Sequence, residues 1–182
     1  PDIVFVVDQA YSPYSVKDVL SVGDVVSRPN VVMLLSLTKQ FVVPGLRIGY
    51  AVGNETVTSR IRSLRMPWSV NAMAIEASRY LLADGNGYDI DAESLHSEAL
   101  RIAGEFRRIG ISVEDTDCNF FLSSLPDRSA SELKEWLIDK YGLLIRDASN
   151  FEGLSKRHFR IAAQSAEEND LLIKAIEEWI SL

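Results

Sequence analysis

Ser36-Leu-Thr-Lys39, followed closely by Pro44-Gly-Leu-Arg47-Ile-Gly-Tyr50, decides how the rest of this chain is read. A lysine stands just past the apolar run Val31–Leu35, with hydroxyls three and one residues before it and an arginine eight residues after it. An amine so placed can add to an aldehyde and form an imine, and burial or nearby positive charge lowers its pKa toward the neutral form this addition needs. Ser36 and Thr38 supply hydroxyl donors, and Arg47 supplies a planar fork of N–H donors that matches a phosphate. Taken singly, each has a plainer reading: Lys39 as a solvated loop lysine, Arg47 as a surface ion-pair residue, Ser36 as a strand-end cap.

Asp8 and Tyr11 extend the pattern. Asp8 closes the apolar run Ile3 to Val7. A carboxylate beside a pyridine nitrogen keeps that nitrogen protonated, because an opposite charge favours the charged form. Tyr11, three residues on, can aim its hydroxyl at a ring oxygen. An amine, a carboxylate, hydroxyls and a guanidinium together call for a flat aldehyde carrying a phosphate, so the expected cofactor is pyridoxal 5'-phosphate. It would be held by Asp8, Tyr11, Ser36, Thr38, Lys39 and Arg47, with Lys39 as the catalytic residue. The plainer alternative makes Asp8 a turn cap and Tyr11 half-buried packing.

The surrounding chain alternates strand and helix. Ile3 to Val7 and Val31 to Leu35 are continuous apolar runs that suit strands buried on both faces of a parallel sheet. Leu46 to Ala51 is expected as a third strand, and Val16 to Val26 as a short helix with Ser15 as a possible cap. Val57, Ile61 and Leu64 recur at helical spacing until Pro67 breaks the pattern. Asn71 to Leu82 is a further helix, ended by the turn residues Asp84-Gly-Asn-Gly87. Over Asp91 to Ile109, Leu95, Ala99, Ile102, Phe106 and Ile109 form one stripe, with Gly110 as the stop. Strands are expected at Ile111–Val113, Asn119–Leu122, Leu143–Ile145 and Phe159–Ala162. Ser129-Ala-Ser-Glu132 and Ser165-Ala-Glu-Glu168 are capping boxes that open two helices.

Asp8-Gln-Ala-Tyr11, Ser36-Leu-Thr-Lys39 and Pro44-Gly-Leu-Arg47-Ile-Gly-Tyr50 together resemble the fold-type I aminotransferase family. The resemblance covers essentially the whole chain as the C-terminal part of that fold. It implies an α/β architecture: the end of a large, mostly parallel sheet domain over residues 1–88, then a small α/β domain over residues 89–182. It implies the roles given above for the lysine, aspartate, serine and arginine, and a homodimer with its site at the subunit interface. Gln9 stands where the family usually has Glu. The family's N-terminal half carries a glycine-rich phosphate cup, a stacking aromatic residue and an asparagine near the ring oxygen, none of which is visible here. The abrupt start at Pro1-Asp-Ile-Val is therefore expected to be part of a longer protein.

Pro67-Trp-Ser-Val-Asn71, the segment Gly142 to Gly153 and His158-Phe-Arg160-Ile-Ala resemble the branch containing histidinol-phosphate aminotransferase and threonine-phosphate decarboxylase. Ser149-Asn-Phe-Glu-Gly-Leu154 followed by Phe159-Arg-Ile-Ala-Ala is closer to the decarboxylase. That implies decarboxylation of L-threonine O-3-phosphate to aminopropanol phosphate for cobalamin biosynthesis, with Arg160 on the substrate carboxylate and Arg146 on its phosphate; the reverse assignment stays open. The alternatives are an amino-acid aminotransferase and a non-catalytic module that keeps the fold and binds no cofactor.

Composition bounds the rest. In 182 residues with 47% hydrophobic and 25% charged side chains, the balance is that of a globular protein. A net charge of -7 argues against nucleic-acid or anionic-membrane partners. No apolar run reaches the ~18 residues of a membrane span. The single cysteine, Cys118, rules out an internal disulfide and fits a reducing compartment, so a cytoplasmic protein is expected. With only two histidines, 62 residues apart, no metal-ligand spacing exists.

Overall fold

In the computed structural model, which describes residues 3–83 and 89–182, two units can be distinguished. The first spans Pro1–Pro13 and Lys17–Ile90; the second spans Asp91–Leu182 together with Tyr14–Val16. The turn expected at Asp84 to Gly87 lies outside the described residues.

The first unit is organised by β2 (Val31–Leu35), whose Val31, Val32 and Met33 are buried. β1 (Phe5–Asp8) runs parallel to it, with Phe5 opposite Val31 and Asp8 opposite Leu34. β3 (Tyr50–Gly53) runs antiparallel on the other side, with Leu35 opposite Tyr50 and Val32 opposite Gly53. The sheet order is therefore β1-β2-β3. Two helices, α1 (Val22–Val26) and α3 (Glu55–Leu64), pack on β2 and β3. A small core gathers Val25, Val31 and Met33 with Val7, Leu35 and Val52. α2 (Leu37–Gln40) is one helical turn directly after β2, and α4 (Ala72–Ala83) is the last helix among the described residues of the unit.

Three expectations are corrected here. β1 is not buried on both faces: Phe5 is 55% and Val6 63% exposed, on opposite faces of what is the outer strand of this sheet. Ser15 does not cap α1. Ser21 does, because Asp24 at the third helical position closes a capping box with it. The third strand starts at Tyr50, not Leu46, because Pro44–Leu46 form a 3₁₀ turn and Arg47 is left-handed at φ 52°.

The second unit is a four-stranded sheet in the order β4-β5-β7-β6, antiparallel throughout. Its strands are β4 (Ser112–Val113), β5 (Phe120–Ser124), β6 (Arg146–Asp147) and β7 (His158–Ala162). Three helices, α5 (Ala92–Arg108), α6 (Ala130–Tyr141) and α7 (Ala166–Ile180), supply the other half of its core. Alternation along β7 buries Phe159 and Ile161 and leaves His158, Arg160 and Ala162 more open. Phe106 meets Phe121 edge-on at 5.8 Å and Phe159 at 6.1 Å, and Ile102, Leu133, Leu137, Ile176 and Trp179 close around them. Both expected capping boxes form, at Ser129/Glu132 and Ser165/Glu168.

The strand expected at Leu143–Ile145 instead forms at Arg146–Asp147. Gly142, at φ 66°, ends α6 with its N–H on Ile138 O, and Leu143 N–H returns to Leu137 O. Leu143 is thus tied to the helix end by an αL cap that needs a residue tolerant of positive φ at Gly142.

Candidate functional site

In the first unit, the expected cofactor residues gather at the C-terminal ends of two parallel strands. β1 ends at Asp8 and β2 at Leu35, and Gln9 N–H continues the ladder onto Leu34 O at 2.9 Å. In open α/β sheets this strand end is where ligands bind. Ser36 follows β2 directly, and α2 carries Thr38 and Lys39 in its single turn. The Ser36 and Thr38 hydroxyls lie 2.7 Å apart, a separation at which one phosphate oxygen can take both. Lys39 Nζ stands 5.0 Å from the centre of the Tyr11 ring, so amine and phenol are brought together. Asp8 Oδ1 accepts the N–H of Ala10 at 2.9 Å, which fixes the carboxylate at the turn after β1. Gln9 is buried, with Nε2 donating to Leu20 O at 3.4 Å, a packing role.

Arg47 reaches this edge through the loop from Lys39 to Tyr50. The loop holds two of the three left-handed non-glycine residues among the described ones, Val42 and Arg47. Each costs about 1–2 kcal/mol of backbone strain. Thr38 N–H donates to Ile48 O at 3.4 Å, which holds the arginine's segment against α2. Gly49 allows the close approach: a Cβ there would stand 2.7 Å from Leu35 O. The Arg47 side chain donates to Pro44 O at 2.9 Å, back into its own loop. An amine, a carboxylate and a hydroxyl pair at the strand ends, with a guanidinium on the adjoining loop, are the chemical complement of a phosphorylated ring aldehyde, and this donor set fits such a group.

In the second unit, Arg146 and Arg160 are direct partners across β6 and β7. Directly opposed residues of an antiparallel pair point to one face, and like charges there are destabilising. Among the described residues neither guanidinium makes an ion pair. Arg146 donates to Asn150 Oδ1 at 2.9 Å and lies 5.4 Å from the Phe151 ring centre; Arg160 lies 5.2 Å from the Phe120 ring centre. Both line a concavity of about 380 Å³ with Leu143, Gln164, Leu172 and Glu168, whose carboxylate is engaged in the Ser165 capping box. Asp147, one residue from Arg146, is occupied elsewhere: the Ser149 N–H holds its carboxyl below the usual range.

Asn150 and Phe151 are contacts that residue-by-residue reading missed, since nothing in their spacing marks them as holders of Arg146. Cys118 shows no sign of a nucleophile; burial pushes its thiol up. His96 Nε2 donates to Thr116 O at 2.9 Å, and His158 Nδ1 accepts from Ser155 N–H at 3.0 Å. Among the described residues, no cluster of three or more His, Cys, Asp or Glu is placed to hold a metal ion. No helix of the described residues is long and apolar enough to cross a membrane.

Comparison with known proteins gives a consistent result. The profile of the family described as aminotransferase class I and II matches residues 2–176. A protein of Caldanaerobacter subterraneus subsp. tengcongensis, whose name as a threonine-phosphate decarboxylase is provisional, is 38% identical over 142 residues. That match covers 78% of this chain and 38% of the relative. A histidinol-phosphate aminotransferase of Mycobacterium tuberculosis is 32% identical over 182 residues, covering 98% of this chain and 48% of the relative. The crystal structure of L-threonine-O-3-phosphate decarboxylase from Porphyromonas gingivalis superposes with a TM-score of 0.94 at 36% identity. It covers all of this chain and 56% of that one. The chain therefore spans about half the length, or less, of the relatives it matches.

Proposed function

The chain belongs to the class I and II aminotransferase family, and from that premise we propose that it is the C-terminal part of a pyridoxal-phosphate-dependent decarboxylase acting on L-threonine O-3-phosphate. The observation that carries this reading is the in-register pair Arg146 and Arg160. Two guanidiniums on one sheet face, neither in an ion pair among the described residues, suit a substrate bearing two separate anionic groups. Threonine phosphate brings a carboxylate and a phosphate. Histidinol phosphate brings only the phosphate, although 2-oxoglutarate, the amino acceptor in transfer, also carries two acids. The likeness to decarboxylases at 38% and 36% identity supports the same choice.

When bound, pyridoxal phosphate supplies the electron sink that weakens bonds at the substrate's α-carbon. The chain's own residues do the rest. Ser36, Thr38 and Arg47 would hold the phosphate, and Asp8 would keep the ring nitrogen protonated by its opposite charge. Tyr11, whose ring centre lies 5.0 Å from the Lys39 amine, would orient that amine and direct its hydroxyl to the ring oxygen. Lys39 would hold the aldehyde end of the cofactor, and its amine could donate a proton at the substrate's α-carbon as a general acid. Arg160 and Arg146 orient the substrate's two acids, with Arg160 assigned to the carboxylate. That orientation chooses which α-carbon bond breaks, because only a bond held perpendicular to the ring overlaps its π system.

A second reading, amino-group transfer as in histidinol-phosphate aminotransferase, is favoured by the 32% identity that runs the whole length of this chain. The test is incubation of the cofactor-loaded protein with L-threonine O-3-phosphate. Carbon dioxide released without a keto acid supports decarboxylation; transfer of the amino group to 2-oxoglutarate removes it. Lys39→Ala is expected to abolish both the cofactor's absorbance near ~420 nm and turnover. The reading also carries a homodimer, which a monomeric mass in solution would refute.

A further inference from the structure

The hydrogen-bond and ring partners of Arg146 are both neutral, while Asp147 acts on it only through its charge, and this has a chemical consequence. Its Nη2 donates to Asn150 Oδ1 at 2.9 Å, and its guanidinium carbon stands 5.4 Å from the Phe151 ring centre. A carboxylate at position 150 would orient the guanidinium equally well but neutralise it. An amide oxygen fixes direction and leaves the positive charge for a ligand, and an aromatic face adds attraction without a formal counter-charge. The nearest carboxylate in sequence, Asp147, is committed to the Ser149 N–H at 2.9 Å. It stands opposite Phe159 in the register, one position along from the Arg146–Arg160 pair, and so projects to the other sheet face.

Resting on the function proposed above, we infer that Asn150 and Phe151 are positioning residues that hold Arg146 extended and out of any ion pair, and thereby select a phosphorylated substrate over one lacking the phosphate. A freely rotating arginine opposite Arg160 would swing away to relieve like-charge repulsion; the amide and ring together prevent this. The effect acts on binding of the phosphate, not on the bond that breaks.

The experiment uses the cofactor-loaded protein and compares the parent with Asn150→Ala, Asn150→Asp and Phe151→Leu. KM and kcat are measured for L-threonine O-3-phosphate and for L-threonine. In parallel, ¹⁵N NMR order parameters are measured for the Arg146 Nε–H group. Loss of one orienting hydrogen bond is expected to raise KM for the phosphorylated substrate about 2- to 10-fold. It should leave kcat and the parameters for L-threonine unchanged, and lower the Arg146 order parameter. Asn150→Asp is the sharper case: Arg146 stays ordered, but the new ion pair weakens phosphate binding as much as Asn150→Ala or more. If Asn150→Ala leaves Arg146 as ordered as in the parent, or shifts KM equally for both substrates, the positioning role is overturned. If the parent does not prefer the phosphorylated substrate while Arg146 loosens in Asn150→Ala, the substrate assignment is what has failed, and phosphate selection falls with it.

Discussion

Gly49→Ala tests how the fold sets the geometry of the Lys39 edge. Gly49 lies beside the end of β2, where an added Cβ would stand 2.7 Å from Leu35 O, with Ser36 Cα at 3.8 Å. The closest atom is backbone, so no side chain can rotate aside. The two segments must separate by about 0.3 Å to reach the tightest tolerated contact and by about 0.7 Å for an ordinary one. The Thr38 N–H to Ile48 O bond is already 3.4 Å long, and such a shift carries it beyond bonding range. A lost hydrogen bond at about 1 kcal/mol and overpacking at about 1–3 kcal/mol give a loss of roughly 2–4 kcal/mol. The displacement also moves Arg47 relative to Ser36 and Thr38, so affinity for pyridoxal phosphate should fall about tenfold or more. Hydrogen exchange read by mass spectrometry over residues 31–53 reports the local loss, and an absorbance titration reports cofactor binding. Gly104→Ala is the control: it lies on the exposed face of α5, a Cβ there meets no atom within 4 Å, and it should stabilise by about 0.5–1 kcal/mol. Unchanged exchange protection together with cofactor affinity within about twofold of the parent would refute the reasoning.

Two further predictions concern the second unit. Phe159→Ala removes a side chain with 0% exposure packed on Phe106, and should cost about 3–5 kcal/mol in urea unfolding; a loss below about 1.5 kcal/mol would mean the core collapses around the gap. Acid should weaken this unit through Glu98 and Asp147. The Arg101 hydrogen bond, helped by Asn169, holds the Glu98 carboxyl below its ordinary value, and the Ser149 N–H does the same for Asp147. Folded pKa values are depressed in both, so their contribution is present above the unfolded values of 4.5 and 3.8 and is lost as pH falls through the folded ones. The urea midpoint should therefore drop between about pH 6 and about pH 2.5, and Glu98→Gln should flatten that drop; an unaltered slope in the variant would exclude Glu98 as a source.

What could be read without coordinates was local. The Ser129 and Ser165 capping boxes close within four residues, and both helices begin where those serines put them. β2 was legible as an unbroken apolar run, and the α5 stripe through Ala99, Ile102 and Phe106 was legible from its period. The chemical types at the Lys39 edge were equally plain, since an amine, a carboxylate and a guanidinium announce their chemistry at any angle. Ser15 was misread because the pattern over Val16 to Val26 looked continuous, while the box that Ser21 forms with Asp24 starts the helix later. The third and sixth strands were misplaced because Arg47 and Leu143 are engaged in a left-handed turn and a helix end. Tertiary structure alone decided that Arg146 faces Arg160, that Asn150 and Phe151 hold it, and that Lys39 stands over Tyr11. Caps and periodicities depend on neighbours a few bonds away along the chain. Register depends on a partner strand that the sequence does not put alongside, and a slip of one residue would send each arginine to the opposite face.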